Sequence, residues 1–146
     1  MKRLIFLFIL LVSTGFAQDD AVSVTADIFL VSTVDGEETF VETTEARPGQ
    51  IVEYRLTATN TEELALPPRS VTVLGPIPET FSYVPDSATP SGEDYVLEGS
   101  SDGTSFAEPD ANDTQTNYTI VRWTLLNELE PGAEVELSYR VTVGEE

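Results

Sequence analysis

The chain has 146 residues, 26 of them acidic against 7 basic, a formal charge of −19, and neither cysteine nor histidine. That composition excludes disulfides, thiolate or imidazole zinc sites, and catalysis by Ser-His-Asp or Cys-His constellations. It also disfavours nucleic acid and anionic membranes as partners, because a polyanion gains no counterion release from an acidic surface.

Lys2 and Arg3 precede an unbroken apolar run, Leu4 to Val12, and small residues lead up to Ala17. A charged start, a short apolar segment and a small-residue cleavage site make a secretory signal peptide over residues 1–17. As a helix the run would extend roughly 14 Å, about half the hydrocarbon thickness of a bilayer, which is too short for a permanent membrane span. Cleavage removes two bases and no acid, so the processed chain is still more acidic, and Arg47, Arg55, Arg69, Arg122 and Arg140 are its only bases. Residues 18–146 are expected to form one domain whose stability comes from burial alone. The expected compartment is outside the cytoplasm: periplasm, cell surface or extracellular space.

From there the pattern is period-two alternation. Val22, Val24, Ala26, Ile28 and Leu30 alternate with Ser23, Thr25, Asp27 and Phe29, and Asp35-Gly36 offers a hairpin turn before a strand over Thr39 to Glu42. After the Pro48-Gly49 turn, Val52, Tyr54, Leu56 and Ala58 share one face of a third strand that ends at Asn60. Val71 and Val73 mark a further strand, and Thr119 to Leu125 another, with Val121, Trp123 and Leu125 on one face. Pro131-Gly132 turns the chain into a last strand where Val135, Leu137, Tyr139, Val141 and Val143 alternate with polar residues. Prolines interrupt the middle of the chain and β-branched residues crowd the periodic segments, so no window reads as a helix. The expected fold is all-β, an antiparallel β-sandwich of about seven to nine strands.

Asp86 to Asn117 is polar and reads as a hairpin, with Tyr95 to Gly99 as a strand, Ser101-Asp102-Gly103-Thr104 as its turn, and Phe106 returning to the core.

Several spaced signals together resemble a bacterial conserved-repeat family, the domain of unknown function 11. They are Ala46-Arg47-Pro48-Gly49-Gln50-Ile51-Val52-Glu53-Tyr54, Asn60-Thr61, Pro76-Ile77-Pro78 leading to Tyr83-Val84-Pro85-Asp86-Ser87-Ala88, and Trp123 before Leu129-Glu130-Pro131-Gly132. The likeness runs from about Ala21 to Val143. It implies an immunoglobulin-like sandwich in an exported or cell-surface protein. This chain carries one copy rather than a tandem array, and Glu62-Glu63 stands where a small turn residue is usual.

Two carboxylates in a cleft could serve glycoside hydrolysis, but acids are so abundant here that no pair stands out, and no residue is assigned a catalytic role. A calcium site is the stronger ionic expectation. Asp110, Asn112 and Asp113 form the most compact set of oxygen ligands, although Gln115 and Val121 stand where the twelve-residue calcium loop requires glycine and a bidentate acid. Asp19-Asp20 with Asp102 is a weaker set. Tyr54, Trp123 and Tyr139 fall on apolar faces and read as core, which leaves Tyr95 or Tyr118 for ligand contact.

The expected function is a non-enzymatic structural or adhesion module that meets an envelope or extracellular protein. Its terminal strands, Val22 to Leu30 and Val135 to Val143, would serve as open edges for strand addition. The alternative is a calcium- or carbohydrate-binding secreted domain using the loops between Asp86 and Asn117.

Overall fold

The computed structural model describes residues 5–6, 21–90, 92–109 and 116–144. Ten strands lie among them: β1 (Ile5–Phe6), β2 (Val22–Val34), β3 (Glu37–Glu42), β4 (Glu45–Ala46), β5 (Ile51–Asn60), β6 (Thr72–Pro76), β7 (Ser82–Tyr83), β8 (Tyr95–Ser100), β9 (Ile120–Leu125) and β10 (Glu134–Thr142). A five-stranded sheet in the order β3-β2-β5-β10-β7 and a three-stranded sheet in the order β6-β9-β8 make an all-β sandwich of eight strands, and β1 and β4 form a separate pair. Every pairing is antiparallel.

Alternation in the sequence becomes sidedness in the sheets. Val52, Tyr54, Leu56 and Ala58 of β5, Leu137, Tyr139 and Val141 of β10, and Val121, Trp123 and Leu125 of β9 are all buried in one core. Asp35 and Gly36 carry φ values of 53° and 82°, the left-handed pair that a two-residue turn needs to match the twist of β2 and β3. The turn joins Val34 to Glu37 in register.

Aromatic rings link the two sheets. The Tyr139 ring lies 5.1 Å from Tyr54 and 6.0 Å from Trp123, between centroids. Its hydroxyl donates to the Pro76 carbonyl at 2.5 Å. Gly75 makes this crossing possible, because a Cβ there would sit 2.7 Å from Tyr139 Cε1 and 2.9 Å from Val121 Cγ2. At the end of β5, the buried Asn60 side chain ties two loops together, the one after β5 and the one between β9 and β10. Its Nδ2 donates to Leu64 O at 3.0 Å and Leu129 O at 2.9 Å, and its Oδ1 accepts from Glu62 N at 2.8 Å.

Burial grades across the larger sheet because three strands cannot cover five. The inner faces of β5 and β10 are sealed, the Val22, Val24, Ala26, Ile28 and Leu30 row of β2 is half-buried, and Val41 of β3 is 59% exposed.

Three expectations are corrected. Neither terminal strand is an open edge: β2 lies between β3 and β5, and β10 between β5 and β7. Thr89 also exchanges backbone hydrogen bonds with Ser138 on that flank of β10. Phe106 does not return to the core. The reversal after β8 does close, through paired Gly99–Ala107 hydrogen bonds, but the Phe106 ring lies under the Arg122 guanidinium at 3.8 Å, on the polar face of β9. Tyr118 is buried against Tyr83, with ring centroids 5.2 Å apart, and so is core rather than a ligand platform.

Burial pushes the Tyr54, Tyr83 and Tyr139 phenols above their ordinary value of 10.0. A raised folded-state pKa contributes stability that is intact below the unfolded value and lost as pH rises through the folded one. Alkaline titration is therefore expected to leave the fold intact to about pH 10 and unfold it above. Tyrosinate absorbance from these three rings should emerge together with loss of the β circular dichroism signal. Full ionisation of all tyrosines with an intact signal would contradict their burial.

Candidate functional site

Asp110, Asn112 and Asp113, the expected calcium ligands, lie outside the described residues. Among the described residues no group of three or more acidic side chains is placed to hold a metal ion. Asp19 and Asp20 also fall outside them, whereas Asp102 is accounted for by its own turn. Its Oδ1 accepts from Ser105 N at 2.7 Å, Thr104 N at 2.8 Å and Ser100 Oγ at 2.9 Å, and these donors hold the carboxyl below the usual carboxylate range. A shallow recess of about 560 Å³ between Ile77, Pro78, Phe81, Thr116 and Tyr118 has Glu79 as its one lining carboxylate among the described residues.

The organised chemistry lies on the outer face of the five-stranded sheet. Register places Arg140 opposite Glu53, and Glu53 opposite Phe29. Glu53 accepts from Arg55 Nε at 2.7 Å through one oxygen and from Arg140 Nε at 3.0 Å through the other. Arg140 also grips Glu38 of β3 with both terminal nitrogens, at 2.7 and 3.1 Å. This bidentate contact holds the Glu38 carboxyl below its usual range and raises Arg140 further. The Arg55 guanidinium sits 4.2 Å from the Phe29 ring centroid and 4.8 Å from that of Phe40, with Arg140 at 5.6 Å from Phe40.

Two arginines thus pin the β3 hairpin to the centre of the sheet. Glu53, although on the outward side of β5, is 8% exposed because both guanidiniums cover it. The face holds an aromatic and ion-pair platform rigid.

Beside this platform β3 forms the border of the sheet. Phe40 and Val41 are exposed on its two faces, at 39% and 59%. The sequence carried one sign of this site: Phe29 and Val31 are apolar residues on the polar side of the β2 alternation. Comparison with protein-family models, with curated proteins and with solved structures finds no match to this chain.

Proposed function

We propose that this chain is an exported, non-enzymatic interaction module of the bacterial envelope, which meets its partner through the β3 border of the larger sheet. The observation that carries this reading is the exposure of Phe40 and Val41 on a border strand held in place by Arg140 and Glu38. A rigid sheet edge with apolar side chains on both faces suits strand addition, where backbone bonds give affinity and side-chain pockets give specificity. The charged and apolar start of the chain supports export. Cleavage after Ala17 would remove β1, which among the described residues pairs with Glu45 and Ala46, and would leave both facing sheets whole. The resemblance to the conserved-repeat family belongs to the same reading.

The test is cell fractionation combined with photo-crosslinking. A tagged chain should be recovered outside the cytoplasm with its amino terminus near Gln18. A photoreactive residue at position 41 should capture an envelope or extracellular protein that one at the exposed Glu93 does not. Retention in the cytoplasm with an intact leader, or equal capture from both positions, would overturn the reading.

A further inference from the structure

The border of β3 specifies the chemistry of the strand it accepts, an inference that rests on the interaction-module reading above. Thr43 N donates to Ile28 O at 2.9 Å, which makes that pair the hydrogen-bonded one in the β2–β3 ladder. Bonded and non-bonded pairs alternate along an antiparallel ladder, so the backbone groups of Glu38, Phe40 and Glu42 point away from β2. Among the described residues they meet no other strand.

The side chains along this edge are sorted. Glu38 is already neutralised by Arg140. Glu37 and Glu42, at the two ends of the strand, are exposed, and their side chains make no ion pair or hydrogen bond among the described residues. Phe40 and Val41 lie between them. A second copy of β3, laid antiparallel about Phe40 so that the outward-pointing groups meet, would set Glu42 against Glu38 twice, acid against acid, and would bring no cation to Glu42 or Glu37. The high negative charge of the whole chain adds to that repulsion.

We propose that β3 binds, by antiparallel strand addition, an extended segment of a partner protein with a basic residue at each end and apolar residues in between. One basic residue faces Glu42, two apolar residues face Val41 and Phe40, and a second basic residue faces Glu37. The residue opposite Glu38 needs no charge. Aromatic character opposite Phe40 extends the platform that Phe40 builds with Arg55 and Arg140.

The probe is a fluorescent peptide containing Lys-Val-Tyr-Thr-Thr-Lys, titrated onto the full chain and followed by anisotropy. Saturable binding is expected, with protection of the Glu38, Phe40 and Glu42 amides from hydrogen exchange. Methylating the peptide's tyrosine nitrogen should weaken binding by at least about tenfold, since it removes a ladder donor without altering charge. The double variant Glu37→Lys with Glu42→Lys should lose the basic peptide by a similar factor and gain the peptide with glutamate at both ends. Its thermal melting should match that of the parent, which separates lost recognition from lost folding.

Equal binding of the methylated peptide, indifference to charge reversal, or protection confined to another strand would each overturn the proposal. Dimerisation of the chain through β3 would overturn it in favour of a second copy. Capture of an envelope partner through a different strand would overturn this inference and leave the export reading standing. Retention of the chain in the cytoplasm would overturn the export reading and leave the peptide result unaffected.

Discussion

Replacing Trp123 with alanine is expected to lower unfolding free energy by about 4 kcal/mol, the range seen when a large core aromatic is truncated. Trp123 has no exposed surface, lies at the centre of β9, and packs against Tyr139, which in turn packs on Tyr54. Truncation empties the space where the two sheets meet, and the neighbours cannot collapse into it, since Tyr139 is held by its bond to the Pro76 carbonyl. A single domain has roughly 5–15 kcal/mol in total, so this one change brings the chain near the threshold of unfolding.

The Trp123→Phe variant should lose less, about 1–2 kcal/mol, because it keeps an aromatic ring in place and removes a buried indole N–H that has no hydrogen-bond partner among the described residues. Urea unfolding followed by circular dichroism measures both. Trp123 is the sole tryptophan, so its own fluorescence cannot report on these variants. Equal losses in the two variants would show that packing around the ring does not set the cost.

The second large effect is expected at Asn60. The carboxamide is buried, donates to two carbonyls and accepts from one N–H. An aspartate there keeps the acceptor but sets a carboxylate oxygen against the Leu64 and Leu129 carbonyls. The part-buried Leu64 carbonyl then loses this donor and the Leu129 carbonyl keeps the bond from Leu66 N, while a buried carboxylate faces both; each lost donor costs about 1–3 kcal/mol.

The Asn60→Asp variant is therefore expected to be destabilised by about 3 kcal/mol near neutral pH. Burial and the facing carbonyls raise the folded-state pKa of the new carboxyl. A raised pKa gives stability that is fully present below the unfolded value of about 4 and is lost as pH rises through the folded one. The deficit relative to the parent should consequently shrink in acid, where the protonated carboxyl regains one donor. Melting both proteins across that pH range checks the sign. A deficit that grows in acid would mean that Asn60 does not act as a donor to these two loops.

Both variants touch residues whose burial was plain in the sequence to different degrees. Trp123 sits between Val121 and Leu125 in an alternating strand, and period-two spacing alone assigns all three to one face. The same rule places Val52, Tyr54, Leu56 and Ala58 inward, as they are found. Asn60 reads in sequence only as a residue suited to a turn. Its role as a tie between the Leu64 and Leu129 carbonyls depends on a contact spanning 69 positions of chain, which no local pattern encodes.

The outer-face platform was hidden for a related reason. Glu38, Glu53, Arg55 and Arg140 read singly as solvated charges on strand faces, and Arg140 finds Glu38 across 102 positions because β3 and β10 belong to the same sheet. Strand order also decided which edges are free. Alternation is equally clear in Val22 to Leu30 and Val135 to Val143, yet it says nothing about neighbours along the hydrogen-bonding direction, and both strands proved to be interior.

What the residues determined by themselves was sidedness: a side chain's face follows from its parity along the strand, and water sorts apolar from polar at each step. What only tertiary structure decided was adjacency, namely which strands lie side by side, which charges meet, and that β3 is left at the border with Phe40 and Val41 uncovered. Parity is a property of two successive residues, whereas adjacency is settled by how the whole chain closes its core.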